Sequence, residues 1–106
     1  MSDRVKKVNE FLRQEVARGL EMLDFRELVT VKAVETSRDL KHADIWISIL
    51  GDEESAMDKI MKNQRNLQFA VNKKMPTKNV PKLRFKIDYS GEHALKIEEL
   101  LKGEKG

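Results

Sequence analysis

The sequence predicts an α+β domain in which helices pack on one face of a small, three-stranded sheet. Segments whose apolar residues recur at three- and four-residue steps, as in amphipathic helices, stand beside segments whose apolar residues alternate, as in strands. Their order is helix, strand, strand, helix, break, helix, strand, helix. A chain of 106 residues allows one core and is too short for two. We therefore expect one domain over residues 1–101, followed by a flexible tail over 102–106.

The first predicted helix spans residues 3–22, and Ser2 or Asp3 can cap its start. Its apolar face consists of Val5, Val8, Leu12, Val16, Leu20 and Leu23. Gly19 lies inside this helix, where glycine is less favourable than alanine by about 1 kcal/mol. That cost leaves two interpretations of Gly19: close packing against a neighbour, or a solvent-facing position without a role.

Two strands are predicted to follow as an antiparallel hairpin. The first, Leu28–Thr36, is rich in β-branched residues and alternates. Its predicted faces are Val29, Val31 and Ala33 on one side and Thr30, Lys32 and Val34 on the other. A turn over residues 37–41 leads into the second strand, 43–50. Its predicted faces are Ala43, Ile45, Ile47 and Ile49 on one side and Asp44, Trp46 and Ser48 on the other.

A short helix is predicted over residues 56–62, with Ser55 and Asp58 at the spacing of a capping box. Two asparagines in segment 63–66 then interrupt the apolar rhythm, and asparagine competes for backbone hydrogen bonds. We interpret this segment as a kink or break. Helical spacing resumes after it and ends at Pro76, because proline cannot continue a helix.

The most regular strand of the sequence covers residues 82–88. Its apolar residues Leu83, Phe85 and Ile87 alternate with Lys82, Arg84, Lys86 and Asp88. This strand is therefore predicted to have one buried face and one basic face. Ser90 can cap a closing helix that extends to about residue 101, whose apolar positions could cover the sheet edge or contact a partner.

Composition excludes several classes of protein. The absence of cysteine excludes disulfides and thiol catalysis, and it leaves His42 and His93 as the only imidazole ligands for a metal. No apolar run approaches the roughly 18 residues of a membrane span. The charged start of the chain does not resemble a signal peptide. We therefore expect a cytoplasmic protein with no metal, no cofactor and no catalytic residue.

Positive charge is concentrated in segment 59–86. No acidic residue lies between Asp58 and Asp88, although the chain carries a formal charge of only +3. The nine cations of the segment are Lys59, Lys62, Arg65, Lys73, Lys74, Lys78, Lys82, Arg84 and Lys86. A surface of one sign suits a polyanion, because phosphate neutralisation and counterion release supply most of the affinity for nucleic acid. A solvated face that keeps the protein soluble has a similar composition.

Two further groups of residues allow more than one interpretation. Trp46 could stack on an unpaired base, or it could be packed in the interior as most lone tryptophans are. Asp39 and Asp44, with Glu35 and His42, could form a general acid–base or metal site. Charged residues are ordinary on a turn and its adjoining strands, so we favour a structural role for this second group.

Five stretches of the sequence match a known family: Arg4-Val5; Leu28-Val29-Thr30-Val31 with Val34 and Ser37; Asp39-Leu40 with Ala43; Ile45-Trp46-Ile47-Ser48 with Leu50-Gly51; and Pro81-Lys82-Leu83-Arg84-Phe85 with Asp88. In these stretches the sequence resembles the ribosome-binding factor A family, whose members have the type II KH fold. The five stretches span nearly the whole domain in the expected order. At the helix–helix junction, most KH domains carry Gly-x-x-Gly and this family carries Ala-x-Gly. Here Asn63-Gln64-Arg65 stands in that place, so the usual small residues are absent.

The resemblance implies a bacterial, non-enzymatic assembly factor, often one of cold adaptation. Independently of the resemblance, we expect a monomer. Such a factor binds the immature small (30S) ribosomal subunit, contacts 16S rRNA and assists late maturation and processing of its 5′ end. With the charge pattern, it predicts an RNA-binding surface made of Lys59, Lys62, Asn63, Arg65, Lys73, Lys74, Lys78, Lys82, Arg84 and Lys86. The alternative is a protein-interaction domain of the same fold whose basic face binds an acidic protein.

Overall fold

A computed structural model of the chain describes residues 3–75, 77 and 79–89. Their secondary structure is α1 (Asp3–Glu21), β1 (Leu28–Thr36), β2 (His42–Leu50), α2 (Glu53–Lys62), α3 (Gln64–Lys74) and β3 (Lys82–Ile87). This order confirms the predicted α+β architecture through the third strand. The predicted closing helix from Ser90 and the tail over 102–106 lie outside the described residues, as do Ser2, Pro76 and Lys78.

Helix α1 packs its apolar stripe against the sheet. The stripe follows the predicted spacing, and its buried residues are Val5, Val8, Leu12, Val16 and Leu20. Leu12 is completely buried in the same core as Ile45 and Ile47 of β2. The peptide N–H of Leu23 donates to the carbonyl of Leu20 at 3.0 Å and closes the last turn. Among the described residues, no helix is both long and apolar enough to cross a membrane.

The three strands are arranged β1-β2-β3, with β2 in the centre. Strands β1 and β2 form the predicted antiparallel hairpin, and β3 lies parallel to β2. A parallel neighbour needs a crossover connection, which α2 and α3 provide here. The turn before β2 is held by Asp39, whose carboxylate accepts from the Ser37 hydroxyl at 2.6 Å and from the Lys41 peptide N–H at 3.1 Å.

A bulge in β1 changes which of its residues reach the core. Val31 lies opposite Ile47, but the next paired residue is Ala33, which lies opposite Trp46. The intervening Lys32 has no partner in β2, so the alternation shifts by one residue after it. The predicted grouping of Ala33 with the core valines was therefore wrong. Val34 is the buried residue at this end of the strand.

Helix α2 begins three residues earlier than predicted. Asp52 is its N-cap, and the Asp52 carboxylate accepts a hydrogen bond from the Ser55 peptide N–H at 3.1 Å. Glu53 and Glu54 occupy the first turn, where the helix dipole favours negative charge. The predicted capping box of Ser55 and Asp58 was therefore wrong, because an aspartate three residues before Ser55 already supplies the cap.

The break between α2 and α3 is a single residue, Asn63. Its backbone lies at φ −105° and ψ 6°, and its side-chain amide donates to the Lys59 carbonyl at 2.8 Å. The carbonyl of Asn63 accepts from the Leu67 peptide N–H at 2.9 Å, so hydrogen bonding resumes at once. Among the non-glycine residues described, positive φ occurs only at Leu40. A kink without a left-handed residue does not need glycine, which explains how Arg65 fits inside α3.

Helices α1 and α3 approach each other closely at Gly19. A Cβ atom added to Gly19 would lie 2.7 Å from Cδ2 of Leu67, which is closer than carbon atoms normally approach. Leu67 is itself buried. Close packing is thus the correct interpretation of Gly19, and this contact fixes α3 against α1.

Candidate nucleic-acid interface

An open groove lies between the α2–α3 helix pair and the edge of the sheet at β3. It has a volume of about 1050 Å³. The residues that line it are Met61, Gln64, Arg65, Gln68, Asn72, Thr77, Val80 and Lys82. The lining is mostly polar and contains two cations that the sequence predicted as RNA contacts. Arg65 reaches the groove from a helix and Lys82 from a strand, so the fold brings together residues 17 positions apart in the sequence.

Two glutamines of α3 occupy the free edge of β3. The Leu83 peptide N–H donates to the Gln68 side-chain oxygen at 2.9 Å, and the Gln64 side-chain amide donates to the Leu83 carbonyl at 2.9 Å. The amide of Gln68 also donates to the Pro81 carbonyl at 3.0 Å. These bonds satisfy edge groups that would otherwise be open to another strand or a ligand. Next to Leu83, the groove is therefore lined by glutamine side chains instead of a free strand edge.

Gln68→Met should destabilise the domain by about 1–3 kcal/mol, because the variant keeps the side-chain length but leaves the Leu83 N–H and Pro81 carbonyl unpaired. Urea denaturation measures the change in the free energy of unfolding, and hydrogen exchange reports on the Leu83 amide. Gln14→Met is the matched control, since Gln14 is an exposed helical glutamine bonded only to Glu10 in the described residues. Equal stability of the two variants, with Leu83 still protected, would show that the Gln68 bonds contribute nothing.

The cations that face the groove are available for a ligand. In the part of the chain that the structure describes, Arg65 and Lys82 have no acidic side chain within ion-pair distance. Lys73 follows Arg65 by two turns on the same side of α3 and lies outside the groove lining, with its ammonium 5.2 Å from the centre of the Phe69 ring. These three side chains are exposed and can each neutralise a phosphate.

The remaining helical cations of segment 59–86 are engaged elsewhere. Lys62 pairs with Asp58 at 3.0 Å one turn before it, and Lys74 pairs with Glu15 of α1 at 3.3 Å. The ammonium of Lys59 donates to the Asp24 carbonyl and lies 5.4 Å from the centre of the Phe25 ring. Lys59 of α2 thus stabilises the loop between α1 and β1, which contains Asp24 and Phe25. Asn63 forms the kink itself, and Lys78 lies outside the described residues.

The strand cations Arg84 and Lys86 lie on the open face of the sheet. Both contact the carboxylate of Asp44, at 2.8 Å and 3.2 Å respectively. Lys86 also lies 5.4 Å from the centre of the Trp46 ring. The predicted basic face of β3 therefore exists, but Asp44 partly neutralises Arg84 and Lys86, and these two cations, unlike Lys82, do not line the groove. The eight cations of the segment that the structure describes therefore form no single surface.

Trp46 and the acidic residues near it have structural partners. Trp46 is half-buried on the open sheet face, opposite the side that carries Ile45. Hydrogen bonds from the Ser37 hydroxyl and from the Lys41 backbone lower the pKa of the Asp39 carboxyl. With Asp39 in the turn and Asp44 in ion pairs, these carboxylates act as structural anchors. The described residues contain no group of three or more histidine, cysteine or acidic side chains that could hold a metal.

Sequence reasoning missed the polar lining of the groove. Gln64, Gln68 and Asn72 recur at four-residue steps, which places them along one side of α3. Gln68 also falls beside the apolar stripe of Leu67 and Val71. A polar series bordering an apolar stripe is a recognisable signal that this side of the helix faces hydrogen-bonding groups.

The fold and the groove define the class of the protein. A helix–kink–helix unit inserted between two parallel strands, with a polar groove along the edge strand, is a KH-like domain, and KH domains are nucleic-acid-binding modules. The chain belongs to the ribosome-binding factor A family, whose family model matches residues 4–101. The ribosome-binding factor A of Akkermansia muciniphila is 32% identical to it over an aligned length of 106 positions, and the alignment covers 95% of this chain and 84% of the relative.

Solved structures show the same fold. The crystal structure of ribosome-binding factor A from Thermus thermophilus matches with a TM-score of 0.73 and 21% identity, covering 82% of this chain and 98% of that one. A homology model of ribosome-binding factor A from the same organism, as fitted into the cryo-EM map of a 30S complex, matches with a TM-score of 0.67 and 23% identity. That match covers 76% of this chain and 90% of the other.

Proposed function

We propose that this protein binds the small ribosomal subunit as a non-enzymatic assembly factor and contacts 16S rRNA through the α3–β3 groove. The observation that carries the proposal is the position of Arg65 and Lys82, which line one open groove from two elements without an acidic partner among the described residues. Family membership supports it, since the relatives are named ribosome-binding factors and one is fitted into a 30S complex.

The groove favours recognition by charge and shape. Arg65 and Lys82 can bind phosphates, because a guanidinium and an ammonium both donate hydrogen bonds to phosphate oxygens. The backbone groups of Leu83 are already bonded to Gln64 and Gln68, so a base cannot pair with them without displacing a glutamine. A structured RNA surface that presents phosphates at the right spacing therefore fits better than a strand read base by base.

Differential binding explains how such a factor could act on a maturing subunit. A protein that binds one RNA conformation better than another shifts the population towards the first. In our proposal the protein stabilises an immature arrangement of 16S rRNA late in assembly and assists processing of the 5′ end. It leaves when the mature surface no longer fits. No catalytic group or cofactor is needed for this role, and it is carried out in the cytoplasm, where subunits assemble.

Co-sedimentation with purified small subunits over a salt series tests the proposal. Three phosphate contacts, from Arg65, Lys73 and Lys82, should make the logarithm of the binding constant fall against the logarithm of salt concentration with a slope of about −2 to −3. The same series with protein-free 16S rRNA identifies the partner. Binding that does not respond to salt, or that requires the ribosomal proteins and is absent from the rRNA, would contradict a phosphate-contact mechanism.

A further inference from the structure

Helix α3 carries an exposed aromatic ring that belongs neither to the core nor to the groove lining. The side chain of Phe69 is 60% exposed, although its neighbours Leu67 and Val71 are buried. Phenylalanine is among the residues most often buried, so a ring on the outer face of a helix has an unfavourable position unless a partner covers it. The adjacent helical positions Asn66 and Ala70 are small and also exposed, so they leave access to the ring.

The surroundings of Phe69 are positively charged. Arg65 precedes it by one helical turn and Lys73 follows it by one turn, so the three side chains lie along the same side of α3. The Lys73 ammonium lies 5.2 Å from the ring centre. Arg65 also lines the groove, whereas Phe69 does not, so the ring lies just outside the groove. No acidic residue occurs between Asp58 and Asp88, so no acid of α3 opposes these cations.

We infer that Phe69 is a stacking platform for an unpaired RNA base whose flanking phosphates are held by Arg65 and Lys73. Base–aromatic stacking combined with cations that follow the backbone is the usual way in which proteins hold single-stranded nucleic acid. Arg65 and Lys73 on either side of the ring favour an anionic occupant, and a nucleotide supplies both a ring for stacking and the negative charge of its phosphates. This inference rests on the proposed function, and it adds a nucleotide beside the groove that charge and shape alone do not specify.

The other exposed apolar side chains of the described residues do not share this arrangement. Met22 has no ring, and the hydroxyl of the exposed Tyr89 donates to the Glu53 carboxylate at 3.4 Å, so an acid lies beside that ring. Leu28 and Leu50 lie opposite each other in the β1–β2 ladder, and neither has a ring that could stack on a base. Met61 lies within the groove. Trp46 has a cation beside it, but the ring is half-buried and Asp44 neutralises that cation. Phe69 is thus the described aromatic residue that combines high exposure with unpaired positive neighbours.

The test measures binding of the full chain to a single-stranded oligoadenylate of about ten nucleotides, which is the size range of one such site. Phe69→Ala should weaken binding roughly 5- to 150-fold, while Phe69→Tyr and Phe69→Trp should bind within a few-fold of the original chain. The salt slope should stay the same in all three variants, because no phosphate contact is removed. Thermal melting checks folding, which an exposed position should leave unchanged.

A fluorescence measurement tests stacking independently of affinity. In a Trp46→Phe background, Phe69→Trp introduces the only tryptophan, and a stacked adenine should quench it on binding. Phe69→Leu separates stacking from simple apolar contact, since leucine keeps the apolar side chain but has no ring. The stacking platform is supported if Phe69→Leu loses as much affinity for oligoadenylate as Phe69→Ala does, and if the oligonucleotide quenches the fluorescence of the tryptophan at position 69.

Several outcomes would overturn the inference while leaving the proposed function intact. They are unchanged binding by Phe69→Ala, full binding by Phe69→Leu, or loss of binding to intact subunits with no loss on oligoadenylate, which would assign the ring to a protein contact. Failure of the unsubstituted chain to bind both small subunits and 16S rRNA would instead reject the proposed function.

Discussion

The double variant Arg65→Glu/Lys82→Glu is expected to bind small ribosomal subunits at least about 100-fold more weakly than the unsubstituted chain at physiological salt. Both cations line the same groove, and neither has an acidic partner in the described structure. Each substitution removes one phosphate-binding cation and places a carboxylate beside the RNA backbone, so attraction becomes repulsion. The salt slope should become shallower by about 2, because two phosphates are no longer neutralised.

The control is Arg26→Glu/Lys32→Glu, which changes the net charge by the same amount. Arg26 precedes β1 and Lys32 lies in its bulge, so both are at the opposite edge of the sheet from β3. The affinity of this control variant for small subunits should fall only slightly, because its lower net charge weakens the long-range electrostatic attraction. If both double variants lose affinity equally, the net charge of the chain is responsible and the groove is not the contact surface.

The second large effect concerns the packing of α1 against α3. Leu67→Ala should lower the free energy of unfolding by about 2–5 kcal/mol, because it removes buried methyl groups and leaves a cavity beside α1. Gly19→Val alone should also destabilise, by about 1–3 kcal/mol, since its side chain must displace the Leu67 methyl that lies 2.7 Å from the new Cβ. The double variant should lose less unfolding free energy than the sum of the two single losses, because the valine side chain at position 19 fills the space that the leucine side chain leaves at position 67.

Urea denaturation of the two single variants and the double variant gives the coupling free energy, which we expect to be about 1 kcal/mol or more in the favourable direction. Ile60→Ala combined with Gly19→Val is the matched control. Ile60 is fully buried in α2, but no atom of it lies within 4 Å of the added Cβ. The changes in unfolding free energy caused by Ile60→Ala and Gly19→Val should therefore add. If the changes for Leu67→Ala and Gly19→Val add as well, Gly19 and Leu67 do not constrain each other.

Periodicity predicted the elements of this fold well, because each amphipathic segment has a single face that can be buried. The strand of Leu83 and Phe85 and the stripe of α1 illustrate this. Periodicity failed in β1, where the bulge at Lys32 places Val34 on the core side of the sheet and Ala33 on the opposite side. A bulge is set by the pairing of two strands, and one strand read alone contains no mark of the extra residue.

The candidate site was predictable only in part. Position in the sequence placed Arg65 and Lys82 in one basic segment, and the fold does bring them to one groove. The sequence could not show that Lys74 pairs with Glu15, or that Arg84 pairs with Asp44, because these acids come from distant segments of the chain. Counting cations therefore overestimates the size of a binding surface whenever acids elsewhere in the fold neutralise some of them.

The glutamine bridge between α3 and β3 has a further consequence for how the protein discriminates between partners. Gln64 and Gln68 connect the helical wall of the groove to its strand wall, so neither wall can adjust without breaking hydrogen bonds to Leu83. A rigid groove loses little conformational entropy when a matching ligand docks, but it also cannot reshape itself around a poor one. Selectivity would then depend on the RNA adopting the right shape, and a small rearrangement of the RNA would be enough to release the protein.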